Sequence, residues 1–393
     1  MLDLLQGVRV LEVALLAPDA LGMHLADMGA DVIKVEEPPH GDYVRVVGGT
    51  DVGGSSLLHW RWNRGKRSLS LDLKQDEGRL LFLDLVRESH VVIDGLRAGA
   101  MDRFGAGYES LRRANPKLVY CSLNGTGQSG PYQTLPTHGV AFDAYAGLSP
   151  PSFRDDDTPY IGDSTPVGIV AGPLYAAMAV CAALVRAKMS GEGRRVEVAE
   201  MDAAAAWQPR GVELAVNGVE ASAGSMEAAV RYQYYRTKDG TFIIFQASED
   251  KFWRNFCQAI GREDLLERGE RRRVGDHARG DEELRAELGR IFAGKSRAEW
   301  VEFFMRHNVP GGPVNEPRDL IDDPHFRERG LLFEQHDAKG TRLQWIGPPV
   351  KVEGQSFSAT PAPSHGQHTD DVLKNVLGLD AARVAELRRR GVV

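Results

Sequence analysis

Apolar positions in the first half of the chain come in two kinds of block. Short runs rich in β-branched residues, at Gly7–Val13, Asp31–Glu36, Ser68–Leu73, His90–Asp94, Leu118–Leu123 and Arg195–Ala199, predict buried strands. Between them the period lengthens to that of a helix. Asp19–Gly29 places Leu21, His24, Leu25 and Met28 on one face, with Gly29 where a helix would be capped. Gln75–Val86, Tyr108–Ala114 and the Ala-rich Leu174–Lys188 continue the series. A strand–helix–strand unit of this length implies parallel strands joined by right-handed crossovers. The fold class expected is therefore α/β, with a doubly wound parallel sheet.

The pattern changes downstream. Tyr234–Gln246 predicts a hairpin turning at Asp239-Gly240, a pair suited to a two-residue turn. Helices are predicted at Glu249–Ile260, Asp281–Ala293 and Arg297–His307, so a smaller α+β domain fits the stretch from 225 to 330. Residues 206–226 carry weak signals and resemble a connection, and Asp370–Leu387 is helical again. No internal repeat is evident.

Composition narrows the function. With 393 residues and 42% apolar content, the chain has material for a large core and two or three domains. A net charge of −7 gives no support for a nucleic-acid partner or an anionic membrane surface. Cys121, Cys181 and Cys257 are too scattered for a disulfide framework or a structural zinc site, which suits a reducing cytoplasm. Val167–Val185 is the longest apolar candidate, and its Ala and Gly content makes it a weak membrane span. Met1–Leu4 lacks the basic start of a signal peptide.

Familiar catalytic signatures are missing or out of context: there is no GxSxG and no HExxH, the GxxxxGK[ST] spelled by Gly289–Ser296 ends a predicted helix instead of following a strand, and the GxGxxG spelled by Gly125–Gly130 follows a strand but opens no predicted helix. Scattered cations on loops are another way to hold phosphate. The run Asn63-Arg64-Gly65-Lys66-Arg67 and, after the fourth strand, Arg97 and Arg103 are candidates; a solvated basic loop is the plainer alternative. Asp163, in Ile161-Gly162-Asp163-Ser164, is a candidate nucleophile toward an activated acyl group, or simply a helix cap. Glu249 stands before a predicted helix and has the same plain alternative. His138 follows the Gly-rich stretch Gly125–Pro131.

Taken together, GADVIKVEEP (29–38), NRGKRSLSLDLKQDEGR (63–79), residues 95–132, AALVRAKMSGEGRRVEVAEMDAA (182–204), the 239–265 stretch and the final HGQHTDDVLKNVLGLDAARVAELRRRGVV resemble the family III CoA-transferases. That family also holds carnitine-type and formyl-CoA transferases and the α-methylacyl-CoA racemases. The resemblance spans essentially the whole chain in order. It implies a Rossmann-like large domain over 1–205, completed by 340–393, a small α+β domain over 225–330, and linkers at 206–224 and 331–339. It further implies an interlocked homodimer, with each active site between subunits.

The family's CoA-contacting loops fall on Leu16 and Ala17, on Leu71 and Lys74, and on Gly95, Leu96, Arg97 and Arg103. Arg103 would meet a phosphate and the apolar residues would flank the adenine. Leu16-Ala17-Pro18-Asp19 departs from the family's usual Leu-Ala-Gly-Pro, so a differently shaped first loop is expected. Coenzyme A, as acyl-CoA substrate, is the implied ligand, with a small carboxylic acid as second substrate and no metal. Transferases of the family use one Asp as nucleophile, through anhydride and thioester intermediates. Racemases use a His/Asp pair beside a Glu, for which His138, Asp163 and Glu249 are the counterparts. Gly139 stands where racemases carry an Asp after that His. A gapless match of the long helix puts the family Asp near Ile169, and about six inserted residues put it at Asp163. CoA transfer with Asp163 as nucleophile is the leading expectation. An α-methylacyl-CoA epimerase and a CoA-ester binder without turnover are the alternatives.

Overall fold

The computed structural model describes every residue except Thr50, Ser164, 221–225, 267–275 and 338–339. The chain divides into two units, one of Met1–Val216 with Leu331–Val393 and one of Asn217–Gly330.

The larger unit is built on six strands: β1 (Arg9–Ala14), β2 (Asp31–Glu36), β3 (Arg67–Ser70), β4 (Val91–Gly95), β5 (Val119–Asn124) and β6 (Arg195–Ala199). All pair in parallel, in the order β6-β5-β4-β1-β2-β3, with Val10 opposite both Val32 and Val91. The predicted parallel sheet is present. Chain direction across the sheet reverses between β1 and β4, the point where loops diverge and leave a crevice.

Alternation of side chains sends successive residues to opposite faces, and both faces are apolar, as a parallel sheet requires. One face carries Leu11, Ile33, Leu69, Val92 and Tyr120 into a core with Phe82 and Leu85 of helix α3 (Asp76–Arg87). The other carries Val10, Val32, Ile93 and Leu123 against Leu21 and Leu25 of α1 (Asp19–Asp27) and Ala176, Val180 and Ala183 of α7 (Gly168–Ser190). Among the described residues α7 is the one helix long and apolar enough to cross a membrane, and its small-residue face is packed into this core.

The C-terminal tail completes the first face. It forms two helices, α13 (Thr369–Asn375) and α14 (Ala381–Arg389), not one, because Gly378 at φ +70° breaks the run. Val372, Leu373, Val384 and Leu387 enter the core, and Asp72 N–H donates to the Val392 carbonyl at 2.9 Å. Part of the stretch expected to be a plain connection is a short helix, α9 (Arg210–Val216).

The smaller unit holds the predicted hairpin as β7 (Gln233–Arg236) and β8 (Phe242–Phe245), with β9 (Gly311–Val314) antiparallel on its other side. Gly240 takes the positive φ, +79°, that the turn demands. Helices α10 (Asp250–Ala259), α11 (Glu282–Phe292) and α12 (Arg297–His307) cover the sheet with an aromatic core of Trp253, Phe256, Phe292, Trp300 and Phe304.

Candidate active site

All six strands of the large sheet end at one cavity, of about 810 Å3. Its wall takes Ala14 from the end of β1, Glu36 from β2, Leu71 just past β3, Gly95 from β4, Asn124 from β5 and Glu200 just past β6. Open parallel sheets bind ligands at this edge, and the volume suits a sizeable organic ligand.

The loop after β1 is held in an uncommon shape. Leu16 has φ +62°, a region that disfavours branched side chains. Its N–H donates to Asp42 Oδ2 at 3.2 Å, and Lys34 Nζ donates to the same oxygen at 2.9 Å. Lys34 is fully buried and also bonds Asp19 and, at 3.0 Å, the Ala14 carbonyl. Burial alone would raise the Asp42 carboxyl, but the Lys34 ammonium holds it down at about 2. A buried ion cluster thus fixes a cavity loop through one backbone N–H.

Close approach fixes the next loop. A Cβ on Gly95 would stand 2.6 Å from Ala14 Cβ and 2.7 Å from Pro18 Cβ, so only glycine lets β4 end against the first loop. Asp94 accepts from Tyr120 Oη at 2.7 Å and from Leu96 N–H at 3.1 Å, which orients the backbone entering the cavity. Burial raises the Asp94 carboxyl to about 6. Asn124 Oδ1 receives the N–H groups of Thr126 and Gly127 at 3.2 and 2.7 Å and turns the chain past β5.

Leu16, Ala17, Leu71, Lys74, Gly95, Leu96, Arg97 and Arg103 line this one cavity, and His138 lines it with them. Leu71 and Ala17 are buried, Leu16, Gly95 and Leu96 half-buried, and the three cations exposed. Lys74 Nζ meets Glu37 at 2.6 Å in an exposed pair that costs little to break. Arg97 and Arg103 form no ion pair among the described residues, so both guanidinium groups are free for an anionic ligand.

Two of the expected acids lie elsewhere. Asp163 is solvent-exposed on the segment before α7 and is not part of the cavity wall. Glu249 is exposed in the smaller unit, at the N-cap position of α10, where its side chain makes no capping bond.

The basic run at 63–67 is corrected outright, being neither a phosphate loop nor a solvated one. Lys66 is fully buried with Nζ on Glu12 Oε2 at 2.6 Å, the Asp19 carbonyl at 2.8 Å and Asn63 Oδ1 at 3.1 Å. Arg64 grips Asp27 with two bonds, at 3.0 and 2.6 Å, and Arg67 spans Asp31 and Asp371. None of the five lines the cavity. Acids lying 36 to 54 positions away in the sequence, and for Asp371 304 positions away, use up these charges, and no local pattern reports such pairing.

Glu200 and Asp143 carry no motif in the sequence that marks them. Glu200 opens α8 (Glu200–Trp207) and lines the cavity while only 2% exposed. An acid in a first helical turn reads as a dipole partner, so nothing local singled it out. Burial first, and the Asp143 carboxylate second, raise the Glu200 carboxyl to about 8. Asp143, on α6 (Val140–Tyr145), accepts the N–H groups of Val167 and Gly168 at 2.9 and 3.0 Å and so caps α7 from a distance. No group of three or more His, Cys, Asp or Glu residues suited to a metal ion occurs among the described residues.

A parallel sheet with a largely apolar cavity at its carboxyl edge, and two arginines without an ion pair in the wall, is the frame of the site. Residues 5–369 match the family described as CoA-transferase family III, and the chain belongs to that family. It is 31% identical over 384 residues to the succinate–glutarate CoA-transferase of Agrobacterium fabrum, covering 94% of each chain. It is 28% identical over 394 residues to the succinyl-CoA:glutarate CoA-transferase of Homo sapiens, covering 99% of this chain and 90% of that one. A CaiB/BaiF family protein from Brucella suis has a similar solved structure. Its TM-score is 0.75 at 27% identity, over 95% of this chain and 99% of that one.

Proposed function

We propose that this protein moves coenzyme A between an acyl-CoA thioester and a small carboxylic acid, with a dicarboxylic acid as acceptor or donor. The observation that carries the reading is that the eight residues assigned to CoA by resemblance line one cavity, at the edge where the sheet's six strands end. Arg97 and Arg103 supply charge for the phosphates and Leu16, Leu71 and Leu96 an apolar surface for the adenine and pantetheine. The named relatives are CoA-transferases of succinate and glutarate, which supports a dicarboxylic acid as the substrate class.

The protein works as a homodimer in this reading. Val170, Leu174, Met178, Val185 and Met189 recur at helical spacing along the exposed side of α7, an apolar stripe that a second copy would cover. Isotope exchange tests the activity. Labelled succinate should enter succinyl-CoA in the presence of the enzyme, and glutarate should yield glutaryl-CoA. Absence of both exchange and CoA binding would refute the proposal.

One observation favours a second reading: His138 stands in the cavity wall as a candidate base for an α-methylacyl-CoA epimerase. That activity would exchange the α-hydrogen of 2-methylacyl-CoA with deuterated water in the absence of any acceptor acid.

A further inference from the structure

Among the described residues four carboxylates line the cavity, and three are committed. Glu36 holds Arg45 with both oxygens at 2.8 Å and also accepts from Ser68. Glu37 pairs with Lys74, and Asp72 accepts from Lys74 N–H at 2.9 Å and Gln75 Nε2 at 3.0 Å. The fourth, Glu200, is different. Its Oε1 is fully buried and has no hydrogen-bond partner among the described residues. An unpaired buried oxygen costs about 1–3 kcal/mol, so one kept in a cavity wall calls for a partner that arrives from outside.

The fold makes room for this side chain. Gly172 on α7 has no Cβ, and one built there would stand 2.8 Å from Glu200 Cγ. A Cβ on Gly168 would stand 3.1 Å from the Glu200 carbonyl oxygen. Residues 169 and 172 share a helix face, so Glu200 lies along the face that carries Ile169. Ile169 lines the same cavity and is the position near which a gapless match places the family acid. An apolar side chain there supplies no nucleophile, while the acid beside it has a free oxygen.

We propose that Glu200 is the carboxylate that attacks the acyl-CoA carbonyl in this chain, a step that rests on the CoA-transfer reading above. A Glu200 oxygen bonds to the acyl carbon, the C–S bond breaks, and CoA leaves as thiolate with an acyl-glutamyl anhydride behind it. The thiolate then attacks the Glu200 carbonyl carbon and releases the donor acid as carboxylate, giving a glutamyl-CoA thioester. The acceptor carboxylate attacks that thioester and expels the thiolate again. Attack of the thiolate on the acceptor's acyl carbon forms the new acyl-CoA and restores the Glu200 carboxylate. No proton is gained or lost over the cycle, but Glu200 enters it ionised, its proton having passed to solvent. Asp143 is the charged group facing it, α7 meets it with the uncharged Gly168 and Gly172, and His138 lines the same cavity. The exchange rate should therefore climb with pH toward about 8, where Glu200 ionises.

The test uses the full chain with acetyl-, succinyl- or glutaryl-CoA, quenched during turnover with borohydride or hydroxylamine and mapped by peptide mass spectrometry. The alcohol or hydroxamate is expected at Glu200. Glu200→Gln should lose exchange roughly a thousandfold while still binding CoA by calorimetry, which shows that it has folded. Glu200→Asp should recover part of the rate. A tag on Asp163, active enzyme with no tag at Glu200, or Glu200→Gln within tenfold of the parent rate would overturn the assignment and leave the CoA-transfer reading standing. A parent protein that binds no CoA at all would remove both.

Discussion

Replacing Lys66 with Met tests whether the 63–67 run serves the fold or a ligand. Lys66 Nζ is fully buried and donates to Glu12 Oε2, the Asp19 carbonyl and Asn63 Oδ1. Methionine keeps most of the volume and removes the charge, so the packing loss is small. What remains is the Glu12 carboxylate, 0% exposed, whose Oε1 already lacks a partner among the described residues. Breaking a buried pair from one side costs about 3–5 kcal/mol, because the other charge is left uncompensated. Unfolding entropy of about 2.1 cal/mol/K per residue gives roughly 0.6 kcal/mol/K for a unit of roughly 280 residues. The melting temperature should then fall by about 5–8 °C, read by calorimetry, and urea midpoints should move in step. CoA affinity, measured below the transition, should stay within about threefold, since Lys66 is not in the cavity wall. Unchanged stability with a tenfold or greater loss of CoA binding would refute this account and return the run to the ligand. Pairing Lys66→Met with Glu12→Gln should restore part of the loss, as a coupled pair must.

Four further outcomes follow from the same geometry. Arg103→Ala should weaken CoA binding by about 10-fold to 100-fold, the worth of one charge-assisted hydrogen bond of about 1.5–3 kcal/mol, and calorimetry with CoA checks it. Gly95→Ala should impair both folding and CoA affinity, because its methyl would meet Ala14 and Pro18 at 2.6–2.7 Å; a crystal structure with an unshifted first loop would contradict this. Glu200 binds its proton more tightly folded than unfolded, with its folded value raised to about 8. Stability from this group should therefore be full below pH ~4.5 and decline by at most about 1.4 kcal/mol per pH unit up to about 8, a slope that Glu200→Gln should remove in pH-dependent urea titrations. Met178→Glu, in the middle of the exposed α7 stripe, should raise the dimer dissociation constant by about tenfold or more in light scattering, and a parent protein that runs as a monomer would dismiss the dimer.

Much of the architecture was legible because it is written in local pattern. β-branched runs and helical spacing are short-range signals, and all six strands of the parallel sheet stand where those signals placed them. The hairpin at Asp239-Gly240 was legible for the same reason, since φ above zero selects the residue type directly. The tail looks like one helix in sequence because the break at Gly378 is a single residue in an otherwise helical stretch.

Residue chemistry was legible only as far as charge type. Arg97, Arg103 and the Lys66 run look alike in sequence, all basic and within two positions of a Gly. Tertiary structure separated them: two arginines stand free in the cavity, while Lys66, Arg64 and Arg67 are consumed by acids brought from Glu12, Asp27 and Asp31. The acids divided in the same way. Asp163, with Gly before it and a helix after it, had the more suggestive neighbours, yet it faces solvent. Glu200, among alanines, lies buried in the cavity wall against Gly172. Sequence fixed what each side chain is and which local element carries it. Whether a charge is spent on a partner or left free depends on contacts across tens of residues, and only the packed fold brings those together.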